Sequence, residues 1–489
     1  MTELEKYFQP FRENIIGVDT VYKSPFGSQK IVYGDWIASG RLYAPIEKKL
    51  LEDFGPFVAN THTEANETGT LMTNSYRLAH QLIKKHVNAG PDDIIITAGF
   101  GMTAVVNKLQ RILGLKGCGK LAGKDCLEKQ DKPVVFITHM EHHSNQTSWY
   151  ETNTEVVMIE PDKELLIDLD DLRRNLEKYK DRQFKIGAFT ACSNVTGIET
   201  PYHEMAKIMH EFGGLCFIDF AASAPYVDIN MHPEDPLMKL DAIYLSPHKF
   251  LGGPGSSGVM IFDKSIYRAE VPDNPGGGTV DWTNPWGNYK YVDDIEVRED
   301  GGTPGFLQAI RVALAFELKK KMGVKNILKR EHELVALAFG GLRKMKRIHI
   351  LADNVEDRLC VISFYHEAIH FNLIVKLLSD RFGIQVRGGC VCAGTYGHYL
   401  LEVSYERSRQ ITEKINHGDL SEKPGWVRWS LHPTSTDEEV RYFHDSLERI
   451  ISNISEWEQD YVYLKRTNEY MHKDQLSNPS DRHVDWFQL

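Results

Sequence analysis

The chain has 489 residues, enough for two packed domains or for one large and one small one. Hydrophobic residues make up 42% and charged residues 26%, the balance of an ordinary globular protein. With 57 Lys and Arg against 68 Asp and Glu, the net charge of −11 speaks against a broad nucleic-acid footprint, which needs a basic face.

The first residues, MTELEKYFQPFREN, are acidic and lack the apolar core of a secretion signal. No stretch approaches the roughly 20 apolar residues of a membrane span. Seven scattered cysteines form no disulfide framework. Cys192, Cys216 and Cys360 fall in strand-like runs and read as buried apolar filler. These features predict a cytoplasmic protein with no membrane and no nucleic-acid partner.

In chain order, residues 1–35 read as an N-terminal arm. From 94 to 262, short apolar runs alternate with helical patterns. Strands are predicted at 94–97, 134–138, 155–160, 186–190, 215–219, 242–246 and 258–262. Helical spacing of Val105, Val106, Leu109, Ile112 and Leu113 predicts a helix over 103–115. Leu169, Leu172, Leu176 and Tyr179 predict another over 168–179, and 201–212 is a third, closed by Gly213–Gly214. This alternation predicts an α/β domain, 36–305, with a mostly parallel seven-stranded sheet covered on both faces. Residues 271–305, rich in Gly, Pro, Asn and Asp, read as a loop region between domains. A helix over 306–322 opens a smaller α+β domain, 306–476, and 477–489 is a polar tail. The Gly/Lys-rich segment 116–132, with Cys118 and Cys126, is a loose loop or a partner surface.

Five strand-end features stand out. Lys249, in Ser246-Pro247-His248-Lys249, follows the 242–246 strand, where open α/β sheets bind ligands. Alone it reads as a solvated surface lysine. Asp219 ends its strand as either a loop carboxylate or the partner of a protonated ring nitrogen. His142 is a loop histidine or a ring that stacks on a flat cofactor. His139, His142 and His143 lack a matching carboxylate and a helical register, so no metal site is expected. The turn Gly99-Phe100-Gly101-Met102-Thr103 is a plain strand–helix turn or an anion cradle at a helix N-terminus. Asn194 follows the 186–190 strand, within reach of a phenolic oxygen. The G-x-G-x-x-G at 253–258 runs into a strand rather than opening a helix, which excludes a dinucleotide site.

These motifs, taken together and in order, resemble the class V aminotransferase and cysteine desulfurase family of fold-type I pyridoxal-phosphate (PLP) enzymes. The matching segments are Tyr33-Gly-Asp-Trp-Ile-Ala-Ser39, Gly101-Met102-Thr103, Glu141-His142-His143, Ser193-Asn194-Val-Thr-Gly197, Asp219, Ser246-Pro-His248-Lys249, Gly302-Thr303-Pro304 and Arg387-Gly-Gly-Cys390-Val-Cys392-Ala393. The resemblance implies that Lys249 carries the PLP Schiff base, Asp219 pairs with the pyridine nitrogen and His142 stacks on the ring. It implies a phosphate site of Gly101, Met102, Thr103, Ser246 and His248, completed by Thr303 from the neighbouring subunit of a homodimer with shared active sites. Asn194 would lie by the phenolic oxygen. Ala38, Ser39, Asn194 and Arg387 would face a small amino-acid substrate, with Arg387 on its α-carboxylate. The desulfurases usually carry Gln three residues after the pyridine-binding Asp; here that position is Ala222.

The thiols divide the candidate reactions. Cys392 stands five residues after Arg387, the spacing of the nucleophile in desulfurases with a short active-site loop. That predicts a cysteine desulfurase or selenocysteine-lyase-like enzyme that transfers sulfur through Cys392 to an acceptor protein, with Cys390 as a relay. The alternatives are an aminotransferase or another lyase in which both thiols merely fill a Gly-rich turn, and a non-catalytic binding protein on a PLP fold. Trp282, Trp286 and Tyr289 shape the substrate pocket or cover a domain junction.

Overall fold

The computed structural model describes residues 1–61, 63–116, 131–477 and 484–488. Cys118 and Cys126, with nearly all of 116–132, lie outside the described residues, as does part of the tail. The chain divides into two compact units. One, the sheet unit, comprises Asn14–Ile16 and Ile37–Lys329; the other, the C-terminal unit, comprises Met1–Glu13, Gly17–Trp36 and Arg330–Leu489.

The central sheet of the sheet unit has seven strands: β1 Asp93–Ala98, β2 Val134–Thr138, β3 Glu155–Ile159, β4 Lys185–Thr190, β5 Leu215–Asp219, β6 Ala242–Leu245 and β7 Gly258–Asp263. Their spatial order is β1-β7-β6-β5-β4-β2-β3. Every pairing from β6 to β3 is parallel; only β7 runs against its neighbours β1 and β6. All residues of β2 and β4 are buried, as near-continuous apolar strands covered on both faces must be. The predicted helices are present at Met102–Ile112, Leu169–Lys178 and Tyr202–Glu211. Val105, Val106, Leu109 and Ile112 of the first sink into one cluster with Phe217, Tyr244 and Met260 of the sheet. Asp168 caps the second by accepting the N–H groups of Asp170 and Asp171.

Two segments differ from the sequence reading. Residues 271–305 are not a loop region between domains. They lie inside the sheet unit and hold a hairpin, Val280–Thr283 with Tyr289–Tyr291, and a short helix, Ile295–Arg298. Asn284 closes the hairpin by accepting the N–H groups of Trp286 and Asn288, both at 3.0 Å. The same turn residues that mark a loop therefore hide a short hairpin. Trp282, Trp286 and Tyr289 stand exposed on it. The helix Phe306–Met322, expected to open the smaller domain, belongs to the sheet unit, where it packs along helix Glu67–His86 and stacks Phe316 on His86. The division falls after residue 329 instead of residue 305.

The C-terminal unit has a four-stranded sheet of β8 Ile348–Ile350, β9 Val361–His366, β10 Arg387–Gly389 and β11 Trp426–Ser430, ordered β8-β9-β11-β10 and antiparallel throughout. Helices Phe371–Phe382 and Asp437–Trp457 contribute to its core, in which Trp429 and Phe443 stack at 3.8 Å. Thr436 and Glu439 cap the second helix reciprocally. Most of the N-terminal arm folds with this unit. Its helix Glu3–Arg12 is tied down by Arg12, whose guanidinium grips Glu439 at 2.7 and 3.0 Å. Among the described residues no helix is long and apolar enough to cross a membrane.

Candidate active site

Strands β1, β2, β4, β5 and β6 point the same way, so their carboxyl ends share one edge of the sheet. The topology thus gathers Gly99–Thr103, His142, Asn194, Asp219 and Ser246–Lys249 there, although 150 positions separate the first from the last. Asp219 is fully buried, and its Oδ1 accepts the N–H of Ala221 at 2.8 Å. Burial pushes its carboxyl up to about 6, opposed by that hydrogen bond and by the charge of Lys249. Lys249 closes a short 3₁₀ turn, Pro247–Lys249, and is only partly buried. Within the same unit, Gly40 N–H donates to the carbonyl of His248 at 2.9 Å. A Cβ at Gly40 would lie 1.9 Å from the Phe250 carbonyl oxygen. The segment holding Ala38 and Ser39 is therefore laid against the lysine turn.

The candidate anion cradle is built from three stretches of chain. Gly101 precedes the first turn of helix Met102–Ile112, whose Met102 N–H donates to Ser246 Oγ at 2.9 Å. His248 Nδ1 donates to the Phe100 carbonyl at 2.9 Å, and burial pushes the ring below its usual value. Thr103 Oγ1 and Ser144 Oγ lie 2.6 Å apart. A side chain at Gly101 would press on both His248 and Ser246, so glycine keeps the cradle open. Gly258 sits directly behind: a Cβ there would fall 2.4 Å from the Gly101 carbonyl oxygen. Thus the last glycine of the rejected dinucleotide motif has a packing reason of its own.

His142 caps helix His143–Tyr150, its Nδ1 accepting the Ser144 N–H at 3.1 Å. Its neighbour Glu141 is fully buried and gathers four donors: Thr138 N–H and Oγ1, Thr190 N–H, and Asn145 Nδ2. Burial pushes its carboxyl up to about 7. Asn194 is buried in the turn after β4. Thr303 is exposed and donates to Asn60 at 3.3 Å.

The C-terminal unit carries a second constellation. Asp35 is shared by two guanidiniums, Arg387 Nε at 3.1 Å and Arg428 Nη2 at 2.8 Å. Arg428 is buried on β11 and Arg387 is exposed on β10, directly opposite it in register. Burial pushes Arg428 below its ordinary value, while the charge of Asp35 and its hydrogen bond pull it back. After β10 the backbone turns sharply, with Val391 at φ 44° and Cys392 at φ 61°, in a region that non-glycine residues rarely occupy. Cys392 is exposed and Cys390 half-buried, while Cys192, Cys216 and Cys360 are buried.

Sequence reasoning assigned no role to Asp35, Glu141 or Arg428. An arginine inside the otherwise apolar run Trp426-Val-Arg428-Trp was the available signal, because a buried charge requires a partner. Among the described residues no group of three or more His, Cys, Asp or Glu is placed to hold a metal ion.

The sheet-edge residues fit PLP. A helix start with flanking hydroxyls and an imidazole suits a phosphate, and a buried carboxyl of raised pKa suits a protonated ring nitrogen. The order of the sheet and its strand-end residues define an α/β enzyme of the fold-type I class. The chain matches the class V aminotransferase family over residues 32–443 and belongs to it; the members of that family work with PLP. Among curated relatives, a probable cysteine desulfurase of Halalkalibacterium halodurans is 27% identical over 74% of this chain and 84% of its own length. One of Pyrococcus abyssi is 26% identical over 87% and 96%. The apo structure of the cysteine desulfurase from Thermococcus onnurineus NA1 shares the fold, with a TM-score of 0.72 at 22% identity over 91% of this chain and 98% of that one.

Proposed function

We propose that this chain is a PLP-dependent cysteine desulfurase in which Cys392 takes the sulfur. The observation that carries this reading is the exposure of Cys392 on a turn five residues beyond Arg387, while three other described cysteines are buried. The two curated relatives, both probable cysteine desulfurases, support it.

When bound, PLP supplies a ring that withdraws electrons from bonds at the amino-acid α-carbon. Lys249 Nζ would bond the cofactor between turnovers and move the substrate α-proton. Asp219 would keep the ring nitrogen protonated, and His142 would cover the ring. Gly101, Met102, Thr103, Ser246 and His248 would hold the phosphate, and Asn194 the phenolic oxygen. Arg387 would take the substrate carboxylate, with Ala38 and Ser39 beside the amino acid. Two guanidiniums share the single carboxylate of Asp35, so the cluster carries a net positive charge that a substrate carboxylate would balance. The Cys392 thiolate would attack the substrate sulfur, so that the carbon–sulfur bond breaks, alanine forms and a persulfide remains on Cys392.

The wider setting belongs to the same proposal: a cytoplasmic homodimer with Thr303 reaching the partner's phosphate, and an acceptor protein that collects the sulfur.

Adding cysteine to the purified enzyme should yield alanine and a mass increase of one sulfur on Cys392. Cys392→Ala should lose both while keeping the visible absorption of bound PLP. If Cys392→Ala still releases alanine at the normal rate, the desulfurase reading fails. Keto-acid formation without persulfide would establish the aminotransferase reading, and a protein that never binds PLP would exclude both.

A further inference from the structure

Lys319, on helix Phe306–Met322, is a buried lysine that the reaction above does not use. Its amine donates to the carbonyl of Ala224 at 2.8 Å and to that of Val227. It also lies 5.9 Å from the ring centre of Phe250 and 5.8 Å from that of Phe316. Burial pushes the amine down to about 7, against the pull of Asp228. Taking an ammonium out of water is expensive, and a methionine would fill the same space without that penalty.

The groups that the amine touches suggest its role. Ala224 and Val227 belong to the loop that leaves Asp219. This loop is a closed series of turns: Ala221 N–H donates to Asp219 Oδ1, Ala224 N–H to the Phe220 carbonyl, and Tyr226 and Val227 N–H to the Ser223 carbonyl. Phe250 directly follows Lys249, and its N–H donates to the Pro247 carbonyl. One amine thus ties the far end of the Asp219 loop to the residue after Lys249.

We propose that Lys319 is a positioning residue for the cofactor: it fixes the spacing between the Asp219 loop and the Lys249 turn. The inference rests on the reading of Asp219 and Lys249 as the PLP-holding pair. Lys185 is a matched comparator in the same unit. It too is buried and donates to two carbonyls, those of Arg182 at 2.6 Å and Lys180 at 3.3 Å, but it opens β4 at the opposite edge of the sheet.

The test uses the PLP-loaded enzyme and its Lys319→Met, Lys319→Arg and Lys185→Met variants. PLP affinity is read by equilibrium dialysis, the pH midpoint of the visible PLP band by titration, and stability by thermal melting. Lys319→Met loses both carbonyl hydrogen bonds and should bind PLP about tenfold more weakly, and its band midpoint should shift. The bulkier guanidinium of Lys319→Arg cannot occupy the same place, so its midpoint should shift too. That variant decides the matter if the methionine chain does not fold. Lys185→Met should lose melting temperature while keeping wild-type affinity and midpoint. A folded Lys319 variant with wild-type affinity and midpoint overturns the proposal. A wild-type enzyme without a PLP band would instead overturn the reading on which the proposal rests.

Discussion

Glu141→Gln isolates one buried carboxyl whose titration should be measurable in the stability of the whole unit. Glu141 is fully buried and its pKa rises from 4.5 to about 7. The folded chain therefore holds this proton more tightly than the unfolded chain. Its contribution to stability is complete below about pH 4.5, falls as the pH rises, and levels off above pH 7. A rise of this size corresponds to about 3 kcal/mol. Asp219, raised from 3.8 to about 6, acts with the same sign and remains in the variant. Buried His80, His139 and His432, held below their ordinary value, act with the opposite sign; all of these groups remain in the variant, so the difference between the two profiles isolates Glu141.

Hydrogen bonding sets the offset between the two proteins. Three donors converge on Oε1 of Glu141 and would be kept by glutamine. Its other oxygen accepts Asn145 Nδ2 at 2.8 Å, and a glutamine Nε2 there would set donor against donor. Turning Asn145 over would forfeit its acceptance of Trp149 Nε1 at 3.2 Å. That conflict costs about 1–3 kcal/mol at every pH. The variant should therefore be clearly weaker at pH 5 and equal to or stronger than the wild type at pH 8. Urea unfolding followed by circular dichroism across this range measures the crossing. Parallel profiles for the two proteins would refute the argument.

Three further outcomes follow from the geometry. Gly258→Ala places a methyl group 2.4 Å from the Gly101 carbonyl oxygen, backbone against backbone. It should cost about 1–3 kcal/mol and weaken PLP retention, read by melting and dialysis. Asp35→Ala leaves buried Arg428 without its carboxylate and should cost about 3–5 kcal/mol in urea unfolding; a loss below about 1 would mean that the pair is not holding the unit. Ser246→Ala removes the hydroxyl that accepts the Met102 N–H at the start of its helix and should cost about 1 kcal/mol, measured in the same way.

The gathering of residues at the sheet edge was legible because each of its parts is local. Asp219, Lys249 and the Gly99–Thr103 turn each follow a short apolar run within a few residues, and parallel topology brings strand ends together once the strands are recognised. The boundary of the first domain was less legible. Helix Phe306–Met322 follows a Gly- and Pro-rich stretch, which looks like a linker, and only its packing on Glu67–His86 assigns it to the sheet unit. Nothing within the sequence window of either helix records that contact.

The Asp35 cluster shows most plainly what local reading cannot reach. Asp35 and Arg428 are 393 positions apart and meet because residue 35 bridges to Ser430 in parallel with β11. The sequence shows Arg387 as a candidate carboxylate ligand and Cys392 as a candidate nucleophile, but not the carboxylate that tethers the arginine. This tether has a chemical consequence. An exposed arginine on an edge strand samples many rotamers, and holding its Nε on Asp35 limits where the rest of the guanidinium can point. Arg428, drawn to the same carboxylate from the buried side, holds Asp35 in place. The arginine is thus aimed by residues outside its own motif, and conversion of Asp35 to alanine should damage substrate binding as well as stability.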